Sequence, residues 1–574
     1  MLGCTRSDSQ ENDGERLPSE NEIRIVLKAD PPGLNPILST HSLSRYVSQQ
    51  IFQTLNAKDP ETFELRPCLA SLPEVDTLPT GGLSYRYHLD TAARWPNNEP
   101  VRVSDVIFSL KAMLNLRVNA GPYRSYYSMI SDIVPEEESG CFRVLTKEPY
   151  LLAAEAIGDL YIYPEYAYDP AGDLRSVSLS ELTDSATAKR LEKESKPLLR
   201  FADRFNDRRT STDPDRIVGS GPYRLTGWES GSKVRLERRP DYWASGRSEP
   251  WLMAIPEVLT FLIITDNTAT ANALRSNLAD VVVDMPVEQF KDLRKEEFLQ
   301  QRYDFITVPS FKYFNILLNQ DDPLLADSLT RRALAHSVNV DKILSNLLPN
   351  LAERVIGPVL PTKEYYNREL PPIPYDLAKA RELLRKAGWE DTDGDNVLEK
   401  VIDGERRDLR FDLLSFPTPT SEAVSIVTAQ GAKKVGFDIR VVLQDPHKVM
   451  NRLNGGEYVA SFYGQGFEPT PDDFSQLWSS TSIPPAGSNR GNFQNFEADS
   501  LIDRIALTTD GAERVPLYRR FQEIVYDNQP MIFLYSPYDR LVVSKRLQYQ
   551  VSSLAPNLNF NALAVVPSDG PPTL

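Results

Sequence analysis

Histidine, the side chain most often used for metal binding and for proton transfer near neutral pH, occurs only four times in the 574-residue chain. The four residues stand far apart, at His41, His88, His336 and His447. No HExxH metal pair, GxSxG nucleophile motif or Walker phosphate loop accompanies them. The sequence therefore predicts no metal centre, no cofactor and no catalytic residue, and the chain is expected not to be an enzyme.

Two groups of carboxylates are close enough in sequence to be weighed as sites. Asp472 and Asp473 could act as an acid/base pair, but adjacency among 80 acidic residues is no evidence of a site. Residues 391–396 (DTDGDN) place carboxylates at positions 1, 3 and 5, as a calcium loop does. Because Gly394 stands at position 4 instead of 6, and Glu399 at 9 instead of 12, the pattern favours an Asx-rich turn over the calcium alternative.

The three cysteines are spaced too widely for a CxxC zinc or redox pair. Cys68 and Cys141 could form a disulfide or stay reduced. Cys4 follows Gly3 and precedes a polar, low-complexity stretch, which resembles the end of a bacterial lipoprotein signal peptide. We therefore predict that Cys4 is lipidated and that residues 1–21 are a signal remnant and a flexible tether.

Composition narrows the class of protein further. A net charge of −16 argues against nucleic-acid binding, which requires a basic surface to neutralise phosphates. The hydrophobic fraction of 41% and the charged fraction of 25% are those of a soluble globular protein. No apolar run approaches the 18 residues or more of a membrane-spanning helix. At about 100–200 residues per domain, the length predicts roughly three lobes.

The elements that must position any site are of mixed type. Alternating or continuous apolar patterns predict strands at 23–27, 234–238, 258–264 and 531–535. Ser104-Asp105 should cap a helix with Ile107, Leu110 and Leu114 on its apolar face. Residues 377–387 form a second amphipathic pattern, ended by Gly388. Strands and helices intermingle without repeats, which favours an α/β fold made of lobes.

Six segments with distinctive motifs follow one another along nearly the whole chain. They are DPPGLNP (30–36) with VSQQIFQTL (47–55), RWPNNEPVRVSDV (94–106), GSGPYRL (219–225) with DYW (241–243), FNILLN (314–319) with RRALAHSVN (331–339), the helix at 375–389, and QPMIFLY (529–535). Together and in this order they resemble the family 5 extracellular solute-binding proteins. This family contains the oligopeptide-, dipeptide- and nickel-binding receptors of ABC transporters.

The resemblance implies an α/β fold of the periplasmic-binding-protein type, class II, with two large lobes around a hinge and a smaller extra lobe. Lobe I would comprise residues 22–67, 200–305 and 526–574, lobe II residues 68–199, and lobe III residues 306–525. A ligand would be enclosed between lobes I and III. The closed state would then be recognised by a membrane permease.

In peptide-binding members a strand of lobe III pairs with the peptide backbone, and a following carboxylate holds the peptide's α-amino group. The matching segment here is 461–474, which places Phe467 where that carboxylate is expected. Along the strand Tyr463, Gln465 and Phe467 share one face, and two glycines share the other. The resemblance thus implies the ligand-binding residues Tyr463, Gly464, Gln465, Gly466, Phe467 and Glu468, with His41 and Tyr46 on lobe I.

The aromatic residue at 467 limits the ligand, because a buried ammonium group without a paired charge costs several kcal/mol. Either Glu468 takes the role of the missing acid through a local bulge, or the ligand has no free amino terminus. A blocked or cyclic peptide, an oligosaccharide or another neutral molecule would satisfy the second alternative.

The resemblance predicts a lipid-anchored, extracytoplasmic and monomeric substrate-binding subunit of an ABC importer. Its partners would be a peptide or another small molecule, a permease, and the membrane through the lipid anchor only. The alternatives are a receptor or sensor without a transport role, which binds a non-peptide ligand, and a hydrolase of peptides or glycans. The absence of any nucleophile or metal motif disfavours the hydrolase.

Overall fold

The structure, a computed structural model, describes residues 21–566. Cys4 and nearly all of the predicted tether lie outside these residues. In the described part, no helix is long and apolar enough to cross a membrane.

Twenty-two strands occur in the described residues. In chain order they are β1 (Glu22–Leu27), β2 (Asn56–Lys58), β3 (Leu65–Pro67), β4 (Glu74–Thr77), β5 (Leu83–His88), β6 (Ile130–Pro135), β7 (Cys141–Thr146), β8 (Tyr223–Glu229), β9 (Lys233–Arg238), β10 (Val258–Ile263), β11 (Val281–Val282), β12 (Tyr303–Pro309), β13 (Lys312–Leu318), β14 (Ala352–Arg354), β15 (Glu399–Ile402), β16 (Glu405–Asp408), β17 (Arg410–Ser415), β18 (Asp438–Leu443), β19 (Ala460–Gly466), β20 (Met531–Ser544), β21 (Leu547–Gln548) and β22 (Ala564–Val565).

The same residues contain twenty α-helices. They are α1 (Ser42–Ser48), α2 (Val103–Leu114), α3 (Gly121–Arg124), α4 (Ala153–Gly158), α5 (Glu165–Tyr168), α6 (Leu179–Thr183), α7 (Ser185–Glu194), α8 (Lys196–Phe205), α9 (Arg209–Thr212), α10 (Asn267–Arg275), α11 (Val287–Leu293), α12 (Glu297–Arg302), α13 (Ser328–Ser337), α14 (Val340–Leu347), α15 (Leu377–Lys386), α16 (Pro419–Lys433), α17 (Pro446–Asn454), α18 (Ser475–Trp478), α19 (Phe496–Leu507) and α20 (Gly511–Asn528).

One sheet of twelve strands runs through both large halves of the molecule. Its order is β18-β17-β19-β13-β20-β11-β1-β10-β9-β8, and β12 and β14 also pair with β20. The first part of β20 pairs with β13, whereas its last residues pair with β12 and β11. We use lobe III for the half that contains β13 and β17–β19, and lobe I for the half that contains β1 and β8–β12. The long strand β20 therefore belongs to both halves.

Two of the lobe boundaries implied by the resemblance cut through single elements. The boundary between residues 305 and 306 lies inside β12 (Tyr303–Pro309), which pairs with the lobe I part of β20. The boundary between residues 525 and 526 lies inside α20. We therefore propose that lobe III begins after Pro309 and ends at Asn528.

A separate four-stranded antiparallel sheet, β4-β5-β7-β6, forms within residues 68–199, which we call lobe II. Tyr85, Tyr87 and Phe142 point from one face of β5 and β7 into the core. The opposite face carries Ser84, Arg86, His88 and Arg143, because successive side chains of a strand point to opposite faces. Arg86 and Arg143 lie opposite each other there.

The predicted elements form for the expected local reasons. The strands at 23–27, 234–238, 258–264 and 531–535 are confirmed as parts of β1, β9, β10 and β20. Asp376 caps α15 by accepting from Lys379 N, and Gly388, with φ +85°, ends it in the left-handed conformation. The predicted cap of α2 at Ser104-Asp105 is wrong by two residues, because the helix begins at Val103 and its N-cap is Arg102. Asp105, at the third helical position, still supports this end by accepting from the Arg102 backbone N–H.

The segment 391–396 is an Asx-rich turn. The Asp391 carboxylate accepts from the backbone N–H groups of Gly394 and Asn396. Arg406 and Arg410 form ion pairs with Asp393 and Asp395.

The two cysteines of the described chain, Cys68 and Cys141, are buried and free of any disulfide. This settles the alternatives that the sequence left open for them.

Candidate ligand-binding cleft

The strand β19 presents a partly unpaired edge. On one side it pairs with β13 along its whole length, from Lys312↔Gly466 to Leu318↔Ala460. On the other side β17 pairs only with Ala460 and Ser461. Within the described residues no strand covers this side beyond Ser461, so alternate backbone N–H and C=O groups there lack strand partners. Such an edge can accept an added strand from a ligand.

The two faces of β19 differ as the strand period predicts. Tyr463, Gln465 and Phe467 are half-buried on one face, and Gly464 and Gly466 are exposed on the other. The Phe467 ring lies 5.0 Å from the Tyr313 ring, centroid to centroid, and its backbone N–H donates to Phe311 O at 2.7 Å.

The glycines have different reasons to be glycine. A Cβ atom at Gly464 would lie 2.8 Å from the Phe314 ring, so this position is fixed by packing within lobe III. A Cβ atom at Gly466 would meet no atom within 4 Å. Of the two, only Gly466 therefore borders open space that a ligand can enter.

A cavity of about 30 Å³ lies on the other face of β19, between β13, β19 and residues 477–493. Tyr463, Gln465, Asn315 and Trp478 contribute to its lining. Asn315 is fully buried, and neither atom of its amide has a hydrogen-bond partner among the described residues. The same is true of Trp478 Nε1. Because an unpaired buried polar group costs about 1–3 kcal/mol, these atoms call for a polar guest, and the volume suffices for water or a small polar group.

The Tyr463 hydroxyl marks the edge of this cavity. It accepts a hydrogen bond from Arg490 Nη1 at 3.2 Å, and Arg490 also lines the cavity. A cation thus lies beside two unpaired neutral polar groups. This combination suits an electronegative oxygen of a guest molecule.

On lobe I, α1 carries Arg45, which contacts Glu468 just after β19, and also the candidate residues His41 and Tyr46. Its N-cap is His41, whose Nδ1 accepts from Leu43 N at 3.2 Å. His41 borders a polar hollow of about 280 Å³ that also contains Ser39, Thr40 and Ser211. The half-buried phenol of Tyr46 keeps its proton, because burial raises its pKa to about 12.

An ion pair joins α1 to the segment after β19. Arg45 Nη1 lies 3.2 Å from Glu468 Oε1, and the two side chains are 44% and 49% exposed. Exposed pairs of this kind contribute only about 0–1 kcal/mol, so a charged ligand can displace either partner.

A buried network holds the segment that carries Phe467 and Glu468. Lys363 Nζ donates to Glu468 O at 3.0 Å and to Thr470 O, and lies 3.7 Å from Asp472 Oδ1. Burial raises the pKa of Asp472 and lowers that of Lys363, while their mutual attraction opposes both changes. Tyr365 donates to Asp472 Oδ2 at 3.0 Å, which completes the anchor.

Asp472 and Asp473 do not form an acid/base pair, because their carboxylates bind different partners. Asp473 Oδ2 accepts from Tyr150 OH of lobe II at 2.8 Å, and Oδ1 accepts from Ser475 N. A backbone bond from Leu151 N to Ala506 O also joins lobes II and III. Lobe II is therefore in direct contact with lobe III in this structure.

The structure brings together most, but not all, of the residues expected at the site. Tyr463, Gln465 and Phe467 lie side by side, and Glu468 meets α1 through Arg45. His41 instead lines the separate polar hollow on lobe I, and its side chain caps α1. Sequence reasoning missed Asn315, Trp478, Arg490 and Lys363 as site residues, because no spacing along the chain connects them with β19.

The sequence of this chain matches a model of a known protein family. The model described as "Bacterial extracellular solute-binding proteins, family 5 Middle" matches residues 64–485, more than half of the chain.

Individual relatives match over nearly the full length. The oligopeptide-binding protein AppA of Bacillus subtilis (strain 168) is 23% identical over 566 residues, which cover 96% of this chain and 93% of AppA. The structure of AppA in complex with a nonapeptide superimposes with a TM-score of 0.72 at 20% identity, covering 95% of this chain and 99% of that one.

A second solved structure shares the fold at lower identity. NikA from Brucella suis, in complex with Fe(III)-EDTA, superimposes with a TM-score of 0.74 at 17% identity and covers 95% of this chain and 99% of NikA. The periplasmic-binding-protein fold expected from the sequence, α/β with two large lobes and a smaller one, is thereby confirmed. The match to the family model over residues 64–485 shows that the chain belongs to the bacterial extracellular solute-binding proteins of family 5.

Proposed function

We propose that this chain is the substrate-binding subunit of an ABC importer and that it captures an oligopeptide or a related solute between lobes I and III. The observation that carries the proposal is the unpaired edge of β19 beyond Ser461, close to α1 of lobe I. A peptide that pairs with this edge gains backbone hydrogen bonds independent of its sequence. The name of AppA and its structure with a nonapeptide support the same ligand class.

The residues around the edge suggest how the ligand ends are recognised. Phe467 packs on Tyr313 and offers no charge to an amino terminus. The nearest exposed acid is Glu468, already paired with Arg45. We propose that the ligand's first residue does not bury a free ammonium at position 467. Where the ligand has a free amine, this amine replaces Arg45 as the ion-pair partner of Glu468 at the exposed mouth of the cleft.

The cavity beside Tyr463 receives a polar group of the ligand. Asn315 and Trp478 gain hydrogen-bond partners when an oxygen-bearing group enters, which removes the cost of leaving them unpaired. A water molecule fills the same role in the ligand-free protein.

Ligand capture works through closure of the lobes. A ligand that contacts both lobe I and lobe III stabilises the closed state over the open one by its extra contacts there. The permease then selects the closed receptor. No bond of the ligand is broken in this cycle, in keeping with a binding protein.

Binding assays with a variant of Gly466 test this proposal. Because a side chain at Gly466 fits the protein but occupies the open space on the face of β19, G466L should fold normally and lose affinity at least about tenfold, or ~1.4 kcal/mol. The ligand is first identified by native mass spectrometry of protein purified from its own host, and its affinity is then measured by calorimetry.

The matched control is G121L. Gly121 in lobe II is also exposed and also has no atom within 4 Å of a Cβ. The control should bind like the parent protein. Equal affinity of G466L and G121L for the identified ligand would refute the assignment of the β19 edge as the ligand site.

We further propose an extracytoplasmic monomer anchored by a lipid on Cys4. The family's description as extracellular supports the compartment, and Gly3-Cys4 followed by a polar stretch supports the anchor. The variant C4S, expressed behind a lipoprotein leader, should move from the membrane fraction to the soluble extracytoplasmic fraction, and light scattering of the soluble protein should give the mass of one chain. Retention of C4S in the membrane fraction would count against lipidation.

A further inference from the structure

Outside the cleft, the sheet of lobe II brings three metal-ligating side chains together. His88 at the end of β5 and Cys141 at the start of β7 are directly opposite partners in the antiparallel register. Cys141 Sγ lies 2.9 Å from His88 Nδ1. The ligand atoms of His88, Glu138 and Cys141 all lie within 4.8 Å of one another.

The third residue is held close by a turn. Cys141 N donates to Glu138 O at 3.1 Å, which closes the turn that leads into β7. Gly140 in this turn has φ +84°, a conformation that side chains rarely adopt. The turn and the strand register therefore fix the backbones of all three residues, and only side-chain rotations remain free.

We propose that His88, Glu138 and Cys141 form a site for a divalent transition-metal ion of the zinc class. One imidazole nitrogen, one thiolate and one carboxylate are ligands that zinc combines, with bonds of about 2.0–2.3 Å. A tetrahedral ion with such bonds separates its ligand atoms by roughly 3.3–3.8 Å. The 2.9 Å contact between Sγ and Nδ1 must open by less than one ångström to reach that range, and Glu138, 65% exposed, can rotate towards the ion. The fourth position is left for water.

The charges around the cluster favour a cation. The same surface carries Glu74, Asp76, Glu136 and Glu138, against the guanidinium groups of Arg86 and Arg143. Arg86 Nη2 binds Glu138 Oε2 at 3.3 Å. A carboxylate can accept from a guanidinium through one oxygen and bind a metal through the other. The four acids exceed the two arginines, so the local field is negative.

Binding exchanges one proton for the metal. The Sγ–H bond of Cys141 breaks, an Sγ–metal bond forms, and the proton passes to solvent. Because the thiol must lose this proton before it binds, protons compete with the ion for the site. The affinity of the site should therefore rise with pH.

The test uses Co²⁺ as a spectroscopic probe on the metal-free full chain. One equivalent of Co²⁺ should produce a sulfur-to-cobalt charge-transfer band, and Zn²⁺ should remove it by displacement. The band should be absent in C141S and intact in C68S, since Cys68 is the other buried free cysteine of the described chain. Calorimetry with Zn²⁺ alone should show one site per chain in the parent protein.

The variant E138Q guards against an effect of misfolding. Glu138 is exposed, so this change leaves the core and the melting temperature in the absence of metal unchanged. The affinity for Zn²⁺ should fall by more than the roughly 10–100-fold that loss of an outer hydrogen-bonding partner causes. A cobalt spectrum without the band, or Zn²⁺ affinity equal in E138Q, C141S and C68S, would overturn the proposal and leave a thiol–imidazole hydrogen bond.

Discussion

At the residue scale, Phe467 distinguishes this chain from the peptide-binding pattern it otherwise resembles. Its ring stacks at an angle on Tyr313, and its backbone is bound to Phe311. The neighbouring acid, Glu468, faces Arg45 of lobe I. The position at which the resemblance implies an amine-holding carboxylate is thus apolar here, and the acid Glu468 lies one residue further along.

Restoring a carboxylate at this position tests that interpretation. F467D should raise the affinity for a peptide with a free amino terminus about tenfold, because a charge-assisted hydrogen bond contributes about 1.5–3 kcal/mol. Calorimetry with the same peptide in free and N-acetylated form measures the effect, and the acetylated form should gain nothing. F467N, of similar size but uncharged, separates the added charge from the lost ring. If F467D and F467N bind the free peptide equally, the position does not face the ligand's amine.

A companion change addresses Glu468. If its carboxylate receives the ligand's amine, E468Q should weaken the free peptide severalfold and leave the acetylated peptide unchanged. A change that is equal for both peptides would show that Glu468 acts only through its ion pair with Arg45.

At the scale of elements, the glycines at 219 and 221 show how tightly segments of lobe I approach each other. A Cβ atom at Gly219 would lie 2.1 Å from the backbone oxygen of Ile51, and one at Gly221 would lie 2.6 Å from the same atom. Gly221 N also donates to Ile51 O at 2.8 Å. Both glycines therefore occupy positions where two backbone segments pack directly against each other. Only hydrogen fits at either Cα towards Ile51.

This contact predicts a strong and local effect on stability. G219A should lower the free energy of unfolding by at least about 1–3 kcal/mol, because backbone cannot yield as a side-chain end can. Chemical denaturation followed by circular dichroism measures the change. G227A in β8 is the matched control, since its Cβ would meet only Arg235 Cβ, at 4.0 Å. Equal stability of the two variants would contradict the packing argument.

The same scale shows what the sequence could and could not predict. β1, β9, β10 and α15 follow from periodicity and caps that act within a few residues. The cavity beside Tyr463 needs Asn315 from one strand and Trp478 from a distant helix. The cluster of His88 with Cys141 needs the register of β5 against β7. Local pattern carries no information on such pairings, so the sequence alone does not connect His88 with Cys141.

At the scale of the whole molecule, one carboxylate ties together three distant parts of the chain. Asp280, fully buried, binds Arg24 at 3.0 Å and Arg546 at 2.7 Å. Arg24 lies on β1, Asp280 stands just before β11, and Arg546 follows just after β20. Burial alone would raise the pKa of Asp280, but the two guanidinium groups hold it below its ordinary value. The network thereby locks the first and last strands of lobe I to its middle.

Removing this charge should destabilise the protein in a pH-dependent way. Because the folded pKa of Asp280 is depressed, its stabilisation is present above the unfolded value near 3.9 and is lost as pH falls below it. D280N should cost about 3–5 kcal/mol at neutral pH and should flatten the loss of stability below about pH 4. Denaturation curves over this pH range test both effects.

The control for this change is an exposed ion pair. Asp292 and Lys295 lie 2.9 Å apart with side chains more than 70% exposed, so D292N should change stability by less than about 1 kcal/mol. Similar losses in D280N and D292N would show that the buried network contributes no more than a surface pair.

The position of β20 in the chain has a consequence for the order in which the protein can be made and folded. Residues 531–544 stand between the two halves of the twelve-stranded sheet, yet all the other strands of this sheet leave the ribosome before them. At about 5–20 residues per second, roughly half a minute to two minutes of synthesis precede them. During that time β13 and β11 lack β20, the strand with which both of them pair. The nascent chain therefore cannot complete the twelve-stranded sheet. A polypeptide that stays incomplete in this way remains loose enough to be threaded through a narrow export channel before it folds on the far side.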